Sequence, residues 1–102
     1  MVIRVTWGKL RAGSWDEFER TYRANVVTKG KDIQGLRGRW LAQDSRDHDT
    51  GFAVSLWDNL ADMEAYERSP LYREIMKPLQ PFFVDDYKTY RCEVKYTDLV
   101  AC

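Results

Sequence analysis

The chain lacks a long apolar run, has a single histidine and two cysteines, and carries no excess of charge of either sign. Each shortage closes a class of function. No stretch approaches the roughly 18 apolar residues that a membrane-spanning helix needs. The opening MVIRVTWGKL alternates like a strand and has no apolar signal-peptide core. Sixteen Lys and Arg balance sixteen Asp and Glu, so the usual electrostatic footprint of a nucleic-acid binder is missing. The same neutrality gives little protection against self-association. Cys92 and Cys102 are too few for a disulfide scaffold and have no CxxC spacing. They point to a reduced, cytoplasmic compartment. His48 lies in Asp44-Ser45-Arg46-Asp47-His48-Asp49. A histidine among carboxylates can bind a metal or act as a base, but in a polar hairpin loop it reads as solvated. These aspartates also lack the calcium-loop spacing. The chain has no glycine-rich phosphate loop, no metal-ligand cluster and no nucleophile elbow.

The chain does have core-forming material. Of 102 residues, 44% are hydrophobic and 14% aromatic, ample for one packed domain over residues 1–102 and unlike a disordered chain. Val2 to Trp7 is predicted as a strand, with Ile3, Val5 and Trp7 on one face and Arg4 and Thr6 on the other. Ser14 and Glu17 have the spacing of a capping box. Trp15, Phe18, Tyr22 and Val26 then recur as the buried stripe of a helix ending near Lys29-Gly30.

Leu36 to Ala42 and Phe52 to Trp57 are predicted to pair as a hairpin across a polar loop, with a bulge near Gly38. Asp58 or Asn59 caps a second helix that would bury Leu60, Met63 and Tyr66. Pro70 suits the first turn of a short third helix, where its missing N–H is not needed. Phe82 to Tyr96 is expected to form a long last strand, bent near Asp85-Asp86.

The pattern β-α-β-β-α-β predicts a ferredoxin-like α+β fold: a four-stranded antiparallel sheet with helices on one face. Both faces of its strands nevertheless carry apolar residues. Phe52, Val54 and Leu56 share one face of their strand, and Tyr90, Cys92, Val94 and Tyr96 form another apolar row. A second copy of the same sheet would cover them, so a homodimer is expected. Trp7 and Trp40 belong to the core or to that dimer face.

With the elements in this order, the stretch Leu56-Trp57-Asp58, Ala65-Tyr66 and Ser69-Pro70-Leu71-Tyr72 resembles the antibiotic biosynthesis monooxygenase-like family of dimeric α+β barrels. Gly35-Leu36 at the start of the second strand fits as well. The resemblance implies a pocket between helices and sheet in each subunit, suited to flat aromatic substrates. In oxygenase members it works without metal, flavin or haem. The substrate phenol is deprotonated and the resulting carbanion reduces O₂, while the protein supplies position, a dry cavity and hydrogen bonds to the oxyanion.

Quinone-forming members carry Asn four residues before the Trp and Tyr six after it. Ala53 and Met63 stand there in this chain, while Trp57 remains. Arg73 stands where the family has a helix arginine. The His and Asn of haem-degrading relatives correspond to Met76 and Thr6, which argues against that subclass.

The expected catalytic candidates are therefore Trp57, Tyr72 and Arg73. Trp57, Tyr66, Tyr72, Met63 and Met76 are expected to line the pocket, and no cofactor or metal site is expected. Trp57 could wall the pocket, donate its indole N–H to substrate, or only pack. Tyr66 and Tyr72 could orient a phenolate, although helix tyrosines often pack with the tip wet. Arg4, Arg39 and Arg91 could bind an anion if they faced inward, but alternation places them more readily on a solvated face. Two functions fit these residues. One is a cofactor-independent monooxygenase acting on a small aromatic or polyketide-like compound. The other is a non-catalytic dimeric small-ligand-binding or stress-associated module. No nucleic acid and no membrane is expected as a partner.

Overall fold

The structure, a computed structural model, describes residues 1–85 and 87–99. Cys102 lies outside them, as does half of the bend expected at Asp85-Asp86. Four strands, β1 (Val2–Lys9), β2 (Leu36–Gln43), β3 (Thr50–Trp57) and β4 (Lys88–Glu93), form one sheet in the order β2-β3-β1-β4. Every neighbouring pair is antiparallel. Helices α1 (Trp15–Lys29), α2 (Leu60–Glu67) and α3 (Pro70–Met76) complete the ferredoxin-like α+β arrangement. No described helix is long and apolar enough to cross a membrane.

Local chemistry accounts for most of the boundaries. The Asn59 side chain accepts from the Asp62 N–H and opens α2, and Ser69 does the same for Tyr72 to open α3, where Pro70 sits in the first turn. Gly35 takes a φ of +81° ahead of β2, a conformation that costs glycine little. The hairpin register shifts between Leu36 and Gly38, at the expected bulge. The capping box does not form. Ser14 makes no side-chain cap, and its hydroxyl donates to the Arg11 carbonyl instead.

Three further expectations are corrected. Leu60 is exposed, because only Met63 of its helix points straight into the core. The last strand is shorter than Phe82 to Tyr96. Pro81 sits in a 3-10 turn over Gln80–Phe82 that drops Phe82 into the core, and β4 begins only at Lys88. The third correction concerns β1. Val2, Arg4, Thr6 and Gly8 are its buried residues, whereas Ile3, Val5 and Trp7 are half-buried on the other face.

Cross-strand register carries that alternation through the sheet, since directly opposed residues point to the same side. Leu36, Arg39 and Leu41 of β2, Ala53, Ser55 and Trp57 of β3, and Thr89 and Arg91 of β4 share the helix-covered side with Arg4. Trp40, Phe52, Val54, Leu56, Tyr90 and Cys92 lie with Ile3, Val5 and Trp7 on the open side.

The core between helices and sheet is split. At one end Leu10, Phe18, Leu79 and Phe82 are buried, with Trp15, Tyr22, Met76 and Phe83 against them. At the other end Val2, Trp57 and Met63 pack with Ile33, Leu36 and Tyr66. Each such side chain contributes about 1.5–3 kcal/mol through burial. Gly8 lets the Phe83 ring lie on the sheet, because a Cβ there would stand 2.2 Å from a ring carbon. The buried Asn25 side chain donates to the Ile75 carbonyl and ties α1 to α3. Between the two clusters the sheet offers Arg4, Ser55 and Thr6, and there the layers do not close.

Candidate functional site

A cavity of about 70 Å³ occupies this gap. One ordered water needs roughly 10–15 Å³ and pockets that engulf drug-sized ligands hold roughly 300–1,000 Å³. The space therefore suits a small flat group. Its apolar walls include Trp57, Met76 and Ile75, and its polar lining consists of Arg4, Arg39, Ser55, Tyr22, Tyr66 and Tyr72.

Arg4 organises the floor. Its Nε donates to Glu67 Oε2 at 2.7 Å, Nη2 to Tyr72 Oη at 2.7 Å and Nη1 to Thr6 Oγ1 at 3.3 Å. The guanidinium also lies 5.1 Å from the centroid of the Tyr72 ring. Thr6 in turn exchanges a hydrogen bond with Thr89 at 3.0 Å. Arg91, opposite Arg4 in the register, donates to both Glu67 oxygens through Nε (2.9 and 3.1 Å) and to Oε2 through Nη2 (2.7 Å). Two like charges on directly opposed residues repel, and the Glu67 carboxylate between them offsets that. Burial pushes the Glu67 carboxyl upward, but the hydrogen bonds from Arg91 and Arg4 outweigh it and hold the group below its ordinary range.

The hydroxyls are set as donors. Tyr72 Oη accepts from Arg4, and its hydrogen has no acceptor among the described residues. Ser55 Oγ accepts the Trp57 Nε1–H at 2.8 Å and is likewise left with a hydrogen to give. The hydroxyls of Tyr22 and Tyr66 have no protein hydrogen-bond partner among the described residues. Burial pushes all three phenols upward, Tyr66 to about 12. They remain protonated near neutrality and do not act as bases. Edge and tilted contacts at 5.3 Å link Trp57 to Tyr66 and Tyr66 to Tyr72, making one aromatic wall.

The structure thus brings Trp57, Tyr66, Tyr72 and Met76 together around one cavity. It places Met63 elsewhere, fully buried beneath Val2 and Trp57, because the α2 turn aims it at the strand ends. Arg73 is exposed on the solvent side of α3. The Trp57 indole is fully buried with its N–H committed to Ser55, so it forms a wall and has no N–H left for a ligand. Arg4, Arg39 and Ser55 are lining residues that alternation alone assigned to solvent or passed over. Arg91 stands behind the cavity, joined to it through Glu67. His48 is exposed in the β2-β3 loop, its carbonyl accepting from Gln43. Among the described residues no group of three His, Cys, Asp or Glu side chains could hold a metal ion.

An antiparallel four-stranded sheet under helices, with a donor-lined aromatic cavity between the layers, defines a ferredoxin-like α+β protein with a built pocket. The chain belongs to the antibiotic biosynthesis monooxygenase family, whose model matches residues 1–78. No curated protein matches it. An antibiotic biosynthesis monooxygenase-like protein from Deinococcus radiodurans superposes with a TM-score of 0.80 at 17% identity, over 100% of both chains. A similar protein from Bordetella bronchiseptica gives 0.81 at 15%, over 94% of this chain and 97% of that one. A mutant of SnoaB, a cofactor-independent oxygenase from Streptomyces nogalater, gives 0.79 at 14%, over 94% of each. At such identities the likeness establishes the fold alone.

Proposed function

We propose that the protein is a cofactor-independent monooxygenase of small aromatic or polyketide-like phenols, acting as a homodimer in which each chain forms one domain. One observation carries this reading. The cavity joins an aromatic wall, Trp57, Tyr66 and Tyr72, to hydroxyl donors and two guanidiniums. Such a lining favours the anion of an electron-rich ring over its neutral form. The activated substrate then passes electrons to O₂. One oxygen atom becomes the new ring carbonyl, and the other leaves as water with the two hydrogens the substrate loses. Family membership supports the chemistry, and the apolar open face of the sheet supports the dimer.

The assay is O₂ uptake with hydroxynaphthalenes and other monophenols that have a free para position, in the presence of a chelator, with the new carbonyl oxygen of the quinone traced to labelled O₂. Quinone formation that falls at least about tenfold, some 1.4 kcal/mol of barrier, in Tyr72→Phe is expected. No O₂ uptake with any of these phenols would remove the oxygenase reading.

A second reading is favoured by the absence of any carboxylate or imidazole from the described lining. No side chain there is poised as a base near neutrality. The protein would then bind a small ligand without turning it over, and saturable binding without product would mark it.

A further inference from the structure

The helix-covered side of the sheet carries one transverse row that crosses all four strands. Arg39 of β2 is opposite Ser55 of β3, Ser55 is opposite Arg4 of β1, and Arg4 is opposite Arg91 of β4. Glu67 is the only carboxylate bonded to this row among the described residues, and it is bonded to Arg4 and Arg91 only. Arg39 forms no ion pair among the described residues. Its charge is nevertheless felt at the Tyr22 and Tyr66 phenols, and its guanidinium reaches back over Gly30 at the end of α1. Ser55 stands opposite Arg39 on one side and Arg4 on the other, and its hydroxyl accepts the Trp57 N–H and has no acceptor for its own hydrogen among the described residues.

We propose that the Arg39–Ser55–Arg4 end of this row is an oxyanion-binding site, specific for a flat ligand whose phenolate, enolate or carboxylate oxygen sits between Arg39 and Ser55. This deepens the oxygenase reading, and rests on it only for the consequence that the bound oxygen is the one whose ionisation starts the reaction. The groups facing that oxygen leave little choice. Tyr22 from α1, Tyr66 from α2 and Tyr72 from α3 present hydroxyls, and Arg4 and Arg39 present positive charge. Glu67, the carboxylate bonded to the row among the described residues, is turned to its two arginines. A neutral ether would find donors without partners, and an ammonium would meet like charge. A low-dielectric wall magnifies both penalties.

The test uses 4-nitrophenol, whose ionisation is read from its visible absorbance. Bound to the protein, it should ionise at least about one pH unit below its free value, a tenfold preference for the anion. 4-Nitroanisole should bind at least about tenfold more weakly than the nitrophenolate. Arg39→Gln, an exposed position, should abolish most of the shift. Arg37→Gln, on the same strand but paired with Asp58 outside the cavity, should leave it unchanged. An unshifted or raised bound pKa, equal affinity for the two probes, equal effects of the two variants, or no binding at millimolar concentration would each overturn the proposal. O₂ uptake by phenols without this shift would refute the anion site alone. The shift without O₂ uptake would refute the oxygenase alone.

Discussion

Glu67→Gln isolates the charge that holds the floor of the cavity together. The wild-type carboxylate meets Arg4 at 2.7 Å, with the two side chains 13% and 10% exposed. It meets Arg91 at the same distance, but the Arg91 side chain is 46% exposed. The Arg4 half is a hydrogen bond to a charged group out of water, worth roughly 1.5–3 kcal/mol. The Arg91 half is largely screened and adds about 1 kcal/mol at most. Glutamine keeps the shape and one acceptor but leaves two opposed arginines without a counter-charge, so the expected loss is about 2–3 kcal/mol.

For a domain of this size that loss lowers Tm by about 10–20 °C. Urea titration at fixed protein concentration gives the free energy directly. The pH dependence is the sharper check. Because the folded carboxyl is held below its ordinary value, its contribution is fully present above the unfolded pKa of about 4.3 and is lost as pH falls through the lower folded value. Wild type and variant should therefore differ most above about pH 5 and converge below it. A loss under about 0.5 kcal/mol, or a gap that does not close in acid, would refute the assignment of Glu67 as the counter-charge.

Three other outcomes follow from the same geometry. Gly8→Ala drives a methyl into the Phe83 ring and should cost about 1–3 kcal/mol, seen in the urea midpoint, whereas full stability would mean the ring moves freely. Tyr72→Phe removes the acceptor of Arg4 Nη2 and should lower stability by about 1 kcal/mol, with a larger proportional loss in nitrophenolate binding than in nitroanisole binding. Trp40, 54% exposed on the open face, should matter to self-association. Trp40→Lys is expected to shift sedimentation from a dimer towards the 12.1 kDa chain, and an unchanged dimer would place the interface elsewhere.

Much of the architecture was legible in the chain because it rests on local chemistry. Asn59, one of the two candidate caps, opens α2, Pro70 falls where its N–H is not needed, and Gly38 marks the bulge, whereas the Ser69 cap of α3 emerged only from the structure. The Trp57, Tyr66 and Tyr72 wall was also visible, as aromatics around a strand end and two short helices.

The rest depended on long-range facts. A period of two groups Arg4 with Thr6 and Ile3 with Val5, but it does not say which group the helices will cover. The usual polar-out assumption inverted β1. The partner that draws Arg4 inward, Glu67, is 63 residues away in sequence. Ser55 carried no signal at all, since its role comes from an indole that reaches back to it. The capping box at Ser14 and Glu17 was a real pattern that lost to a tighter turn at Arg11.

The transverse row of arginines has a consequence for how faithfully the chain folds. Both faces of β1 are acceptable to an apolar surface except at Arg4 and Thr6, so hydrophobicity alone discriminates weakly between alternative pairings. Sliding β1 by one residue would turn Arg4 onto the open apolar face as an uncompensated charge and leave Glu67 with the exposed Arg91 as its remaining partner. The charges that shape the cavity therefore also act as an alignment key for the central strand. A mispaired sheet is penalised before any ligand is met.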